Sequence, residues 1–217
     1  DLIEEYCKTN SIQKILDLPS TSFQKLKFTQ KLPAFGKDDK PIRKVDMENF
    51  NFRVSFQTEQ DYHVHTQLAR NIISKWEDSL KVFRCLNRVR FYHKDFPIYV
   101  DISIVKSSSK SNRVSIPTYT IQESNLFENT EEYEIELEVD NYQVGTEPKF
   151  KKAEYLLGSI KKCIRIIMSG LQKTKFPISY SEQQLVLQSY LNTVHGDEHG
   201  IHRVYSKHFI GVNSSTL

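Results

Sequence analysis

Like charges at every second position share one face of an extended strand, and two such rows occur in this sequence. In the segment 131–140, Glu132, Glu134, Glu136, Glu138 and Asp140 alternate with Tyr133, Ile135, Leu137 and Val139. That period of two puts every carboxylate on one side and every apolar group on the other. In 83–93, Arg84, Arg88, Arg90 and Tyr92 lie opposite Phe83, Cys85, Val89 and Phe91. Carboxylates at i, i+2 and i+4 stand at intervals of about 7 Å. Two of them can ligate one hard divalent cation such as Mg²⁺ or Mn²⁺, directly or through water. Arginine forks suit phosphate oxygens. Together the rows make a site for a metal-bound polyphosphate.

The elements that must position these residues are strands first. The segment 99–105 aligns Asp101 and Ser103 against Val100, Ile102 and Ile104, and 51–57 sets Arg53 and Ser55 against Phe52, Val54 and Phe56. Rows of one charge repel themselves unless something opposes them, and one remedy is a closed sheet in which acidic and basic strands look at each other across a lumen. Taken alone, an acidic strand face also fits a solvated edge, and the arginine row a surface turned to nucleic acid. Their co-occurrence, with Arg53 and Asp101 on further alternating strands, favours a site.

Helices come next. Leu68, Ile72, Ile73, Trp76 and Leu80 within 66–82 recur at helical spacing, as do Ala153, Leu156, Leu157, Ile160, Ile164, Ile167 and Leu171 within 151–174; both segments are candidates to cover a sheet. A third helix starts at the capping-box pattern Ser181-Glu182-Gln183-Gln184, and a first one near Ile12, Ile15 and Leu16. Residues 31–44, rich in Lys, Pro and Asp, read as a loop. The expected class is α+β: an antiparallel β-tunnel, a closed barrel with a polar, charged lumen, covered by helices.

The 217 residues carry a formal net charge of +3 and three cysteines, Cys7, Cys85 and Cys163, with no C-x-x-C pair. The charge neither demands nor excludes a polyanionic partner, and the cysteines fit a reducing compartment rather than zinc or redox chemistry. No apolar run approaches the roughly 18 residues of a membrane helix, so the expected location is intracellular. His63, His65, His195, His199, His202 and His208 sit in turn-like or polar surroundings and are read as surface residues.

Arg88-x-Arg90, then Asp101-Ile-Ser103-Ile-Val-Lys106, then Glu134-Ile-Glu136-Leu-Glu138 resemble the triphosphate tunnel metalloenzymes, specifically the RNA 5′-triphosphatase domain of mRNA capping enzymes from mimivirus-like and other large DNA viruses. Lys175-Phe176-Pro177-Ile178-Ser179 is similar to the segment that closes that domain, and His208-Phe209-Ile210-Gly211-Val212 to the stretch leading into a guanylyltransferase domain. The resemblance implies hydrolysis of the bond between the β and γ phosphates of a 5′-triphosphate RNA end. It implies Glu136 and Glu138 as ligands of Mg²⁺ or Mn²⁺, with Glu134 ligating or orienting water. Arg88 and Arg90 would grip the phosphates, with Arg84 and Arg53 as further basic contacts, and Asp101 would position the pair. Lys106 is at odd spacing from Asp101 and joins its face only if the strand bulges or ends between them.

The implied organisation is an N-terminal region over 1–50, the catalytic domain over 51–194, and a linker over 195–217 toward a guanylyltransferase domain in cis. The implied location is the cytoplasm, a viral factory or the virion. The family also has a first Glu-x-Glu strand, which 1–50 lacks, since Glu4 and Glu5 are adjacent; that strand is expected upstream of Asp1. Two other functions fit the same residues: a polyphosphate or thiamine-triphosphate hydrolase of the same superfamily, and a non-catalytic RNA-end or protein-binding module.

Overall fold

Short alternating segments separated by Asn, Asp, Ser and Gly turns fold into small antiparallel sheets, with helices before, between and after them. The computed structural model describes residues 2–18, 26–112 and 114–195. In chain order these form α1 (Leu2–Thr9), α2 (Ile12–Asp17), β1 (Phe28–Pro33), β2 (Val45–Met47), β3 (Phe52–Val54), β4 (Gln57–Tyr62) and α3 (Gln67–Ser74). Then follow β5 (Arg84–His93), β6 (Phe96–Ser107), β7 (Lys110–Ser111), β8 (Val114–Ser115), β9 (Glu132–Val139), α4 (Asn141–Thr146), α5 (Ala153–Gln172) and α6 (Tyr180–His195). Among the described residues no helix is long and apolar enough to cross a membrane.

The chain divides into two units, Asp1–Ile42 with Gln57–Gln143, and Arg43–Phe56 with Val144–Leu217. In the first, β1 pairs with β4 and β5-β6-β9 form a three-stranded sheet; in the second, β2 pairs with β3. The first unit's core gathers Ile12, Phe28 and Ala69, with Tyr62, Val64, Ile73 and Trp76 packed against them. Thr66 caps α3 by accepting a hydrogen bond from the Ala69 amide. In the second unit, α5 ends at Lys173, whose left-handed backbone (φ 54°) lets Lys173 and Thr174 donate to the Gly170 and Ser169 carbonyls.

The expected closed tunnel is overturned. Among the described residues the largest sheet has three strands, whereas a barrel wide enough to hold side chains inside takes about eight. The rows of charge that called for closure are neutralised laterally instead, between neighbouring strands of one open sheet. The expected strand over 51–57 is also divided: β3 ends at Val54 and β4 begins at Gln57, each pairing with a different partner.

The expected cover is different too. The helix over 66–82 closes at Ser74, where the Lys81 ammonium donates to the Trp76 and Ser79 carbonyls and holds 76–81 in turns. Its apolar side serves the cluster around Ile12 and Phe28. On the apolar face of β5-β6-β9, Val89 is 56%, Phe91 52% and Tyr133 75% exposed, whereas Ile98 at one end is buried.

Candidate functional site

The central strand β6 sets the site because it hydrogen-bonds to β5 on one side and β9 on the other. Register places Arg90 and Glu136 on either side of Asp101, Arg88 and Glu134 on either side of Ser103, and Tyr92 and Glu138 on either side of Tyr99. One face of an open sheet therefore carries a basic strand, a small polar strand and an acidic strand in that order. Cross-strand neighbours on one face lie within reach of long side chains, and the charges meet there.

Asp101 is fully buried and sits between two arginines. Arg90 donates to it from Nε and Nη2, both at 2.7 Å, and Arg88 Nη1 lies 3.0 Å from the same carboxylate. The other Arg88 nitrogens are also engaged: Nε donates to Ser103 Oγ at 3.0 Å and Nη2 to Glu136 at 2.5 Å. Arg84 Nη2 bridges both oxygens of Glu134, at 2.7 and 2.8 Å. Glu138 accepts a hydrogen bond from the Tyr99 hydroxyl. The Arg90 guanidinium lies over the Tyr99 ring, 3.6 Å from its centroid.

Electrostatics follow from these contacts. The hydrogen bonds from Arg90 hold the Asp101 carboxyl below its ordinary range despite burial, and the same bonds raise Arg90 above its own. Burial first, and the bond to Glu138 second, push the Tyr99 hydroxyl up to about 12. Four carboxylates face three guanidiniums. Among the described residues Glu138 is the one of the four held by a neutral hydroxyl rather than a cation.

Of the residues singled out from sequence, Arg84, Arg88, Arg90, Asp101, Glu134, Glu136 and Glu138 share this face. Lys106 does not: it stands opposite Cys85 on the other side of β6 and donates to the Phe127 carbonyl, because no bulge intervenes between it and Asp101. Arg53 belongs to the second unit, where it forms an ion pair with Asp46 across the β2-β3 hairpin, Nε to Oδ1 at 2.5 Å. His63 and His65 lie ring to ring at 4.9 Å in an exposed turn. The side chain of His195, with His199, His202, His208 and the 208–212 motif, lies outside the described residues, as does the rest of the expected linker. Tyr99 and Ser103 are the members of the site to which the sequence reading gives no role. Their parity with Asp101 was the available signal.

The acidic donors are hard carboxylate oxygens, the ligand chemistry of Mg²⁺ or Mn²⁺. Among the described residues no three of His, Cys, Asp and Glu converge on one point. Mg²⁺ needs no such cage when a polyphosphate is present, since it keeps several waters and takes one or two carboxylates plus phosphate oxygens. Glu136 and Glu138, adjacent on one face of β9, fit that role. Compared with protein-family models, curated proteins and solved structures, the chain shows no significant match.

Proposed function

We propose that this face receives the 5′-triphosphate end of RNA and that the protein is a metal-dependent RNA 5′-triphosphatase, releasing the γ-phosphate and leaving a 5′-diphosphate end for a guanylyltransferase. The observation that carries the reading is the placement of Arg88 and Arg90 over one buried carboxylate, Asp101, beside a row of glutamates. The motif resemblance supports it independently of the fold first expected.

Each residue then has a task set by its contacts. Asp101 and Ser103 fix Arg88 through Nη1 and Nε, so a phosphate oxygen competing with Glu136 for Nη2 meets a guanidinium already in position. Arg90 is held by Asp101 on one edge and by the Tyr99 ring beneath. Displacement of Glu136 from Arg88 frees its carboxylate beside Glu138, and these two would hold the cation. When bound, the cation neutralises phosphate charge and polarises the γ-phosphoryl group. Glu134 would orient water, with Arg84 compensating its charge in the resting state.

The test is γ-phosphate release from triphosphate-ended RNA with Mn²⁺, with Mg²⁺ and with chelator. Release that needs the metal and is abolished in the Arg88→Ala, Arg90→Ala double variant is the expected result. A second reading, a non-catalytic RNA-end-binding module, draws on the engagement of Glu134 and Glu136 as arginine counter-ions. Tight binding of the triphosphate end without phosphate release under any metal would replace the first reading with the second.

A further inference from the structure

We infer that Tyr99 is the positioning residue that joins the two halves of this site: its hydroxyl holds the Glu138 carboxylate and its ring supports the Arg90 guanidinium. The inference rests on the phosphate-handling reading above and adds a residue that reading did not require.

Tyr99 stands two residues before Asp101 on the same face of β6, in register with Glu138 on β9 and Tyr92 on β5. From there one side chain reaches both charge rows. Toward β9 its hydroxyl donates to Glu138. Toward β5 its ring lies under Arg90 at 3.6 Å. A guanidinium over an aromatic face is attracted by the ring's quadrupole without losing hydrogen-bond donors at its edge, so the donors of Arg90 stay in the plane where Asp101 and a phosphate can meet them. Glu134 and Glu136 each face an arginine, whereas Glu138 faces a hydroxyl that orients it and leaves its negative charge in place. Tyr99 thereby fixes a carboxylate that, among the described residues, carries no cationic partner, next to the arginine that would take the phosphate.

The two contacts separate by substitution. Tyr99→Phe removes the hydroxyl and keeps the ring; Tyr99→Leu removes both. Wild type and both variants are titrated with Mn²⁺ alone, following the free-ion resonance, and with inorganic tripolyphosphate alone, by calorimetry. One hydrogen bond to a charged group predicts that Tyr99→Phe weakens Mn²⁺ binding by about tenfold and leaves tripolyphosphate binding within about twofold. Loss of the stacked ring predicts that Tyr99→Leu also weakens tripolyphosphate by about two- to fivefold. Wild-type Mn²⁺ affinity in Tyr99→Phe overturns the proposal while leaving the phosphate-handling reading intact. Parallel loss of both ligands in Tyr99→Phe, in step with a lowered melting temperature, also overturns it, because a merely structural role has that signature. Wild-type protein that binds tripolyphosphate but not Mn²⁺ alone overturns the Tyr99 proposal and leaves the phosphate-handling reading intact, and wild-type protein that binds neither probe overturns both.

Discussion

Arg90 and Asp101 form a two-pronged ion pair, Nε to Oδ1 and Nη2 to Oδ2 at 2.7 Å each, in which the carboxylate is wholly withdrawn from solvent and the guanidinium is about one-third exposed. With Arg88 on its other side, this carboxylate is the counter-charge on which the basic strand of the sheet depends. Asp101→Asn keeps the shape and removes the charge, leaving two guanidiniums facing an amide. Breaking a buried pair by deleting one partner costs roughly 3–5 kcal/mol, and partial exposure of the arginines moves the expected loss to the lower end, about 3 kcal/mol. Urea denaturation of the two proteins measures it. A loss under about 1 kcal/mol would mean that water reaches this carboxylate.

The same pair sets a pH dependence. Arg90 holds the folded-state pKa of Asp101 below its ordinary value of 3.8, so the ionised carboxylate stabilises the folded chain. That contribution is fully present above the unfolded pKa and disappears as pH falls through the folded one. The stability difference between wild type and Asp101→Asn is therefore expected to be constant from about pH 5 to 8 and to shrink progressively below about pH 4. Denaturation midpoints at pH 7, 5, 4 and 3 test this, and a gap that widens on acidification contradicts the assignment.

The arginines of β5 are expected to differ in what they give the ligand. Arg88 is fixed through three nitrogens to Ser103, Asp101 and Glu136. Arg84 pairs through Nη2 with Glu134 in a more exposed position. A charge-assisted hydrogen bond from a fixed guanidinium is worth about 1.5–3 kcal/mol, or roughly 10–150-fold in affinity, so Arg88→Ala should weaken tripolyphosphate binding by at least tenfold. Exposed pairs are worth less and are screened by salt, so Arg84→Ala should weaken it by under about fivefold and mostly at low ionic strength. Calorimetry at two salt concentrations decides between equal and unequal roles.

Strand parity in the sequence tells which residues share a face, and it groups Arg84, Arg88 and Arg90, then Asp101 and Ser103, then Glu134, Glu136 and Glu138 as the sheet does. Parity says nothing of which strand lies beside which. The acidic and basic rows were expected to oppose each other across a lumen, when a single intervening strand lets them pair side by side. Arg53 shows the same gap: its alternation is visible, but its partner Asp46 lies seven residues upstream, on a strand that pairs with its own only once the hairpin forms. At α6 the capping box expected from the sequence, Ser181 with Gln184, is not the one that forms. The chain uses Ser179 with Glu182 rather than Ser181 with Gln184, the Ser179 amide donating to the Glu182 carboxylate at 2.9 Å and the Glu182 amide to Ser179 Oγ at 3.2 Å. A charged carboxylate is the stronger acceptor of the two at a helix start.

The open apolar face of the sheet makes the sharpest stability prediction, because β6 carries the same residue type on the same face in two environments. Ile98 and Ile102 are four positions apart, so both point to the side opposite Asp101. Ile98 is 3% exposed, in register with Val139 where the chain crosses back and Asp140 donates to the Pro97 carbonyl, whereas Ile102, between Val89 and Ile135, is 42% exposed. Truncating a buried isoleucine to alanine costs about 2–5 kcal/mol from lost transfer energy and the cavity left behind. A half-exposed one leaves no cavity and loses only part of the transfer term, about 1 kcal/mol. Any loss of strand propensity is common to both. Ile98→Ala should therefore cost about 3 kcal/mol and Ile102→Ala about 1, read from urea midpoints with unchanged slopes. Equal costs would mean that the Val89, Ile102 and Ile135 surface is covered in solution, and dilution would show by what: a cost that falls with protein concentration identifies a second copy, and one that does not identifies the chain itself.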